Sequence, residues 1–123
     1  MIENNRETDT EQLAGAAIAG IRAKKGFSIV KMDLSGIENS VCNNFIICNG
    51  NSSTQVQALA ESVEEMVQTE IGQKPWHKEG YQNAEWILLD YVNVVVHIFN
   101  EETRKFYNLE GLWADAEVEL MND

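Results

Sequence analysis

A chain of 123 residues is the length of one domain, with enough surface to bury a single core. Its 44% apolar content excludes a disordered chain. Its formal net charge of -11 argues against a nucleic-acid-binding surface, because affinity for a phosphate backbone comes mainly from Lys and Arg.

The chain opens on a polar stretch, Met1 to Thr8, which is expected to be loose and contains no signal-peptide core. A first helix is expected from Asp9 to Lys24, because Leu13, Ala16, Ala17 and Ile21 recur at helical spacing. Its many Ala and Gly residues suggest close packing against a sheet. Gly26 ends it, and Lys24 and Lys25 sit favourably at the negative end of the helix dipole. Phe27 to Leu34 reads as a strand, broken by Ser35-Gly36. Phe45 to Cys48 is a second strand, apolar on both faces and therefore central.

Ser52 begins a second helix as its N-cap, and Gln55 three residues on completes a capping box. Val56, Leu59, Ala60, Val63, Met66 and Val67 form the buried stripe. No Lys or Arg occurs between Lys31 and Lys74, so Glu61, Glu64, Glu65 and Glu70 give this helix an acidic surface. That surface suits a basic partner protein, or it serves only solubility.

Gln73 to Ala84 contains the sole proline, Pro75, and reads as a loop. Glu85 to Tyr91 and Val94 to Phe99 are strands. The short Val92-Asn93 link makes them an antiparallel hairpin. A short helix runs from Glu101 to Asn108, and the acidic tail is expected to fray. The order α-β-β-α-β-β-α gives an α/β (α+β) fold. It is a single domain over residues 1–123 with a mixed sheet flanked by helices, and residues 1–8 and 117–123 are loose termini.

The candidates for chemistry are few. A strand, Gly50-Asn51-Ser52 and then a helix is the layout of an anion-binding turn. The same residues also build an ordinary turn and cap. Two-metal phosphoryl transfer needs paired carboxylates. The Glu85–Tyr91 strand offers Asp90 alone, and neither a D-x-D nor a phosphate-loop motif occurs. Cys42, Cys48, His77 and His97 have no recognisable zinc-ligand spacing. His97 alternates with Val96 and Ile98 and reads as a hydrogen-bonded histidine of the sheet. Along one extended strand the two cysteines would stand about 20 Å apart, beyond the roughly 7 Å a disulfide allows. They read as thiols of a reducing compartment. No apolar run approaches the roughly 20 residues of a membrane span. The expected location is the cytoplasm, with no membrane association, no cofactor and no metal.

The aromatics say more. Trp86, Leu88 and Asp90 share one face of their strand, and Ile87, Leu89 and Tyr91 share the other. One face must pack on helices. The second is then either core or an open binding face, since Trp and Tyr are enriched at binding hot spots.

Three stretches together resemble the Iojap/RsfS family of ribosomal silencing factors: N-F-I-I-C-N-G-N-S-S-T-Q from Asn44, W-I-L-L-D-Y-V-N-V-V-V-H-I-F from Trp86, and T-R-K-F-Y-N-L-E-G-L-W from Thr103. The resemblance covers roughly Leu13 to Ala116. It implies a nucleotidyltransferase-like fold without catalysis, and a homodimer. It also implies binding to the large ribosomal subunit through large-subunit protein fourteen, which blocks the small subunit from joining and represses translation. Nucleic-acid recognition is limited to contacts with ribosomal RNA. The resemblance places the partner-binding surface at Trp86, Asp90, Arg104, Tyr107, Leu109, Leu112 and Trp113. Trp86 and Trp113 would be apolar anchors, and Arg104 would pair with a carboxylate or ribosomal RNA. The sequence departs from the family at Asn43, where Asp is usual, and at Val92-Asn93, where Gly-Asp is usual. Asn93 is expected to take the left-handed conformation that keeps the turn. The alternative function is a nucleotide-binding or nucleotidyltransferase-like enzyme, which the missing second carboxylate argues against.

Overall fold

The computed structural model describes residues 2–37 and 42–121, residues 2–8 by their backbone alone. Along the chain the elements are α1 (Ile2–Ala23), β1 (Phe27–Asp33), β2 (Asn44–Gly50), α2 (Ser53–Ile71) and β3 (His77–Glu79), then β4 (Trp86–Asp90), β5 (Val94–Asn100), α3 (Glu101–Tyr107), α4 (Leu109–Leu112) and β6 (Glu117–Leu120). One six-stranded mixed sheet has the order β3-β4-β5-β2-β1-β6. The β2–β5 pair is parallel, and the other described pairs are antiparallel. Every residue of β2 is buried, as expected of a central strand reading apolar on both faces.

The two sides of the sheet are filled differently. On one side α1 and α2 pack Leu13, Ala17, Ile21, Val56, Leu59 and Val63 against Ile46, Cys48, Ile87, Leu89, Val96 and Ile98. On the other side Phe45, Ile47, Val95 and Phe99 gather with Val30, Met32, Leu34 and Leu109. There α3 and α4 are short, and they cover less than two long helices do.

The α2 start follows its capping box. Ser52 accepts from the Gln55 amide at 3.1 Å, and the Gln55 side chain accepts from the Asn51 amide at 2.6 Å. The same Gln55 donates to the carbonyls of Lys24 and Lys25, which ties the end of α1 to the start of α2. At the end of α1 the left-handed residue is Lys25, φ 62°. Gly26 is demanded by space instead, since a Cβ there would lie 2.4 Å from the Ile21 side chain.

Several expectations need correction. Helix α1 begins at Ile2, not Asp9, because no Gly or Pro precedes Gly15 to interrupt it. Its small residues serve α2 as well as the sheet: a Cβ on Gly20 would lie 2.9 Å from Ser62 O and Val63 Cα. The tail is not frayed over Glu117–Leu120. This alternating E-V-E-L segment pairs with β1 as the edge strand β6, and residues 122–123 lie outside the described part. The supposed loop contains β3, paired with β4. In the β4–β5 hairpin the residue at positive φ is Val92, at 76°, and not Asn93. Cys42 and Cys48 are both buried and in no disulfide. Burial pushes the Cys42 thiol up to about 12.

Candidate functional site

Alternation along β4 turns Trp86, Leu88 and Asp90 away from α1 and α2, and all three are half-buried. The strand registers then build three rows across this side of the sheet. Trp86 lies beside Phe99 and then Asn49, Leu88 beside His97 and Ile47, and Asp90 beside Val95 and Phe45.

The aromatic rings run continuously across these rows. The Trp86 ring stacks on Phe99 with centroids 4.9 Å apart, and Tyr107 of α3 lies 4.8 Å from it. The indole Nε1–H donates to His97 Nδ1 at 3.0 Å. His97 meets Phe45 edge-on at 4.6 Å, and Phe45 meets Trp113 edge-on at 5.9 Å. Of the expected site residues, Trp86, Tyr107 and Trp113 are thus brought together. Leu112 is 73% exposed nearby in the chain, and Asp90 is half-exposed.

Two of the expected residues are placed inside. Leu109 is buried in the core between α4 and the sheet. Arg104 is buried too, and its guanidinium donates to Ser28 O, to Asn49 Oδ1 at 3.0 Å and to Glu110 at 3.0 Å. The carboxylate it pairs with is its own chain's Glu110, so its task is to hold α3 and α4 onto β2 and β1. The reason is spatial: α3 folds back across the sheet, bringing Arg104 over the polar end of β2.

An open apolar groove runs beside the aromatic row, lined by Phe45, Trp76, Leu88, Asp90, Val92, Val95 and His97. Trp76 is 77% exposed and is fixed by its amide, which donates to Asp90 O at 2.7 Å. The expected site omitted Trp76, Leu88, Val92 and Phe45. A usable signal existed for one of them: W-H-K-E between Pro75 and Gly80 is a short run bounded by turn residues, which suits an edge strand.

Elsewhere most candidate polar groups serve the fold, while among the described residues Thr10 Oγ1, the Tyr91 hydroxyl and His97 Nε2 are buried with no hydrogen-bond partner. His97 is buried and held neutral, its pKa pushed down to about 3 by desolvation. Asp90 Oδ1 accepts from the Val92 amide at 2.7 Å, so this carboxylate caps its own hairpin turn. The glycine turn before α2 is filled by Gln55 and by Val56 and Leu59, which lie against Gly50. His77 pairs with Glu79 at 2.7 Å on the exposed β3 edge. Among the described residues no three His, Cys, Asp or Glu side chains converge as a metal site would require.

A family model described as "Ribosomal silencing factor during starvation" matches residues 7–123. The chain belongs to the RsfS family. An RsfS of Halalkalibacterium halodurans is 40% identical over 106 residues, covering 86% of this chain and 89% of that protein. An RsfS of Bacillus subtilis is 41% identical over 100 residues, covering 81% and 83% respectively. The crystal structure of a Chromobacterium violaceum protein matches this fold with a TM-score of 0.79 at 31% identity, covering 92% of each chain. The Halalkalibacterium halodurans and Bacillus subtilis relatives are both named as ribosomal silencing factors.

Proposed function

We propose that this protein represses translation in the cytoplasm by docking on the large ribosomal subunit, at its protein fourteen, and sterically keeping the small subunit from joining. Docking requires a surface and no reaction. The observation that carries this reading is the aromatic face of the sheet. Trp86, Leu88, Tyr107, Leu112 and Trp113 are left uncovered or half-covered by α3 and α4, beside an open groove walled by Trp76. Large half-buried aromatics of this kind are the usual anchors of protein interfaces. In this proposal Trp86, Asp90, Tyr107, Leu112 and Trp113 face the partner, while Arg104 and Leu109 position α3 and α4 beneath them. The acidic balance of the chain favours a basic partner such as a ribosomal protein. The family resemblance adds a homodimer to the proposal.

Sedimentation with purified ribosomal subunits tests it. The protein is expected to pellet with large subunits and not with small ones, and to reduce formation of joined ribosomes when added first. Pelleting with small subunits alone would overturn the proposal.

A further inference from the structure

The tip of the β4–β5 hairpin holds a backbone conformation that its own residue resists. Val92 has φ 76°. Three hydrogen bonds hold the turn: Val92 N donates to Asp90 Oδ1 at 2.7 Å, Asn93 N to Tyr91 O at 3.0 Å and Tyr91 N to Val94 O at 2.9 Å. An Asn93 amide bonded back to Tyr91 O across a central residue at positive φ makes a γ-turn centred on Val92, of the rare and strained kind. A β-branched residue at that position is an outlier. Strain of this kind survives where the surroundings over-determine it, and it gathers at binding sites.

Packing does not explain the choice of Val, because the residue is 57% exposed. It is instead part of the groove lining, with Phe45, Trp76, Leu88, Val95 and His97. Its two methyl groups add apolar surface at the mouth, which Gly or Asn would not. Charge says what kind of surface fits over that mouth. Asp90 lies in the lining, Glu79 of β3 stands beside the lining residue Leu88 in the sheet register, and the Lys78 ammonium is engaged by Glu64 of α2.

We infer that the groove seats an apolar side chain presented from a basic protein surface, and that Val92 is kept in its strained conformation to form the lip of that seat. The inference rests on the docking reading above and names the chemistry of the same site.

The test measures binding to purified large subunits, and thermal melting, for the unaltered chain and for Val92→Asn, Val92→Ile and Asp90→Asn. Asn tolerates positive φ, so Val92→Asn is expected to melt no lower than the unaltered chain while binding at least about fivefold more weakly, as loss of one apolar contact implies. Val92→Ile retains the apolar lip and is expected to bind as the unaltered chain does. Asp90→Asn keeps the oxygen that caps the turn but removes its charge. It is expected to weaken binding and to reduce its dependence on ionic strength.

Full binding by Val92→Asn would overturn the role of Val92. A melting temperature well below that of the unaltered chain would show Val92 to be structural, and overturn it equally. Unchanged binding and salt dependence in Asp90→Asn would overturn the basic partner surface. Failure of the unaltered chain to bind would instead overturn the docking reading itself, and the inference with it.

Discussion

The indole Nε1–H of Trp86 donates to Nδ1 of His97 across 3.0 Å, joining neighbouring strands on the side of the sheet away from α1 and α2. This bond assigns the imidazole tautomer. Nδ1 must be the bare nitrogen, so the neutral ring carries its proton on Nε2. It also fixes the indole, which is pinned by His97 at one edge, by Phe99 on one side and by Tyr107. Trp86 is therefore half-buried and packed against the core, so a substitution at this position disturbs the fold as well as any surface it presents.

Trp86→Glu should cost both stability and subunit binding, because it loses the stacking on Phe99 and places a carboxylate against His97. A cost of about 3 kcal/mol or more is expected from the lost aromatic packing. Trp86→Phe is the sharper variant. It keeps a ring and removes one hydrogen bond, so urea titration should show a loss of about 1 kcal/mol, with most of the binding retained. An unchanged urea midpoint in Trp86→Phe would show the Trp86–His97 bond to be dispensable.

The buried His97 makes stability depend on pH. Its folded pKa of about 3 lies below the 6.5 of an unperturbed histidine. Between those values the unfolded chain binds the extra proton, so stability rises with pH across the window. The contribution is complete above about pH 6.5 and is lost as pH falls toward 3. Denaturant titrations of the unaltered chain and of His97→Gln at pH 7.5 and pH 5 should therefore diverge. The unaltered chain should lose more stability on acidification, by on the order of 1–2 kcal/mol, since the carboxylates titrate in both proteins. Equal losses would place His97 in contact with solvent.

Arg104 is expected to behave as a structural residue. Removing its guanidinium leaves Asn49, the Ser28 carbonyl and Glu110 without their donor. Leaving the buried Asn49 oxygen without its charged donor costs about 1.5–3 kcal/mol, so Arg104→Ala should lower the melting temperature. Arg104→Lys should recover only part of the loss, because an ammonium lacks the fork that reaches several acceptors. A stable Arg104→Ala protein with impaired subunit binding would return this residue to the partner surface.

Gly20 is the tightest point between α1 and α2. The Ser62 hydroxyl donates to Gly20 O at 2.8 Å, and the Cβ of an alanine would press on Ser62 O at 2.9 Å. Alanine is the better helix former by about 1 kcal/mol, yet Gly20→Ala should destabilise, because overpacking costs about 1–3 kcal/mol. Gly15→Ala, with nothing within 4 Å of its Cβ, should stabilise by comparison. Similar effects at both positions, by thermal melting, would refute close contact of the helices at Gly20.

What the sequence determined by itself is what acts over a few residues. The apolar run of β2, the Ser52–Gln55 cap, the hairpin and the alternation of Trp86 against Ile87 could all be read in advance, because each is a matter of period, cap or turn. The three stretches that resemble the RsfS family could be read for the same reason, as local runs of residues. The tertiary structure alone decided what lies over what. Arg104 and Asn49 are 55 residues apart, and nothing local says that they meet. The edge strands β3 and β6 exist because a neighbouring strand supplies their backbone partners. Val92, and not Asn93, takes the left-handed position because Asp90 Oδ1 and the Tyr91–Val94 pair bind the turn that way. The groove beside Trp76 has the same origin: its walls come from β2, β4, β5 and the residue before β3, and only the sheet's register sets them side by side.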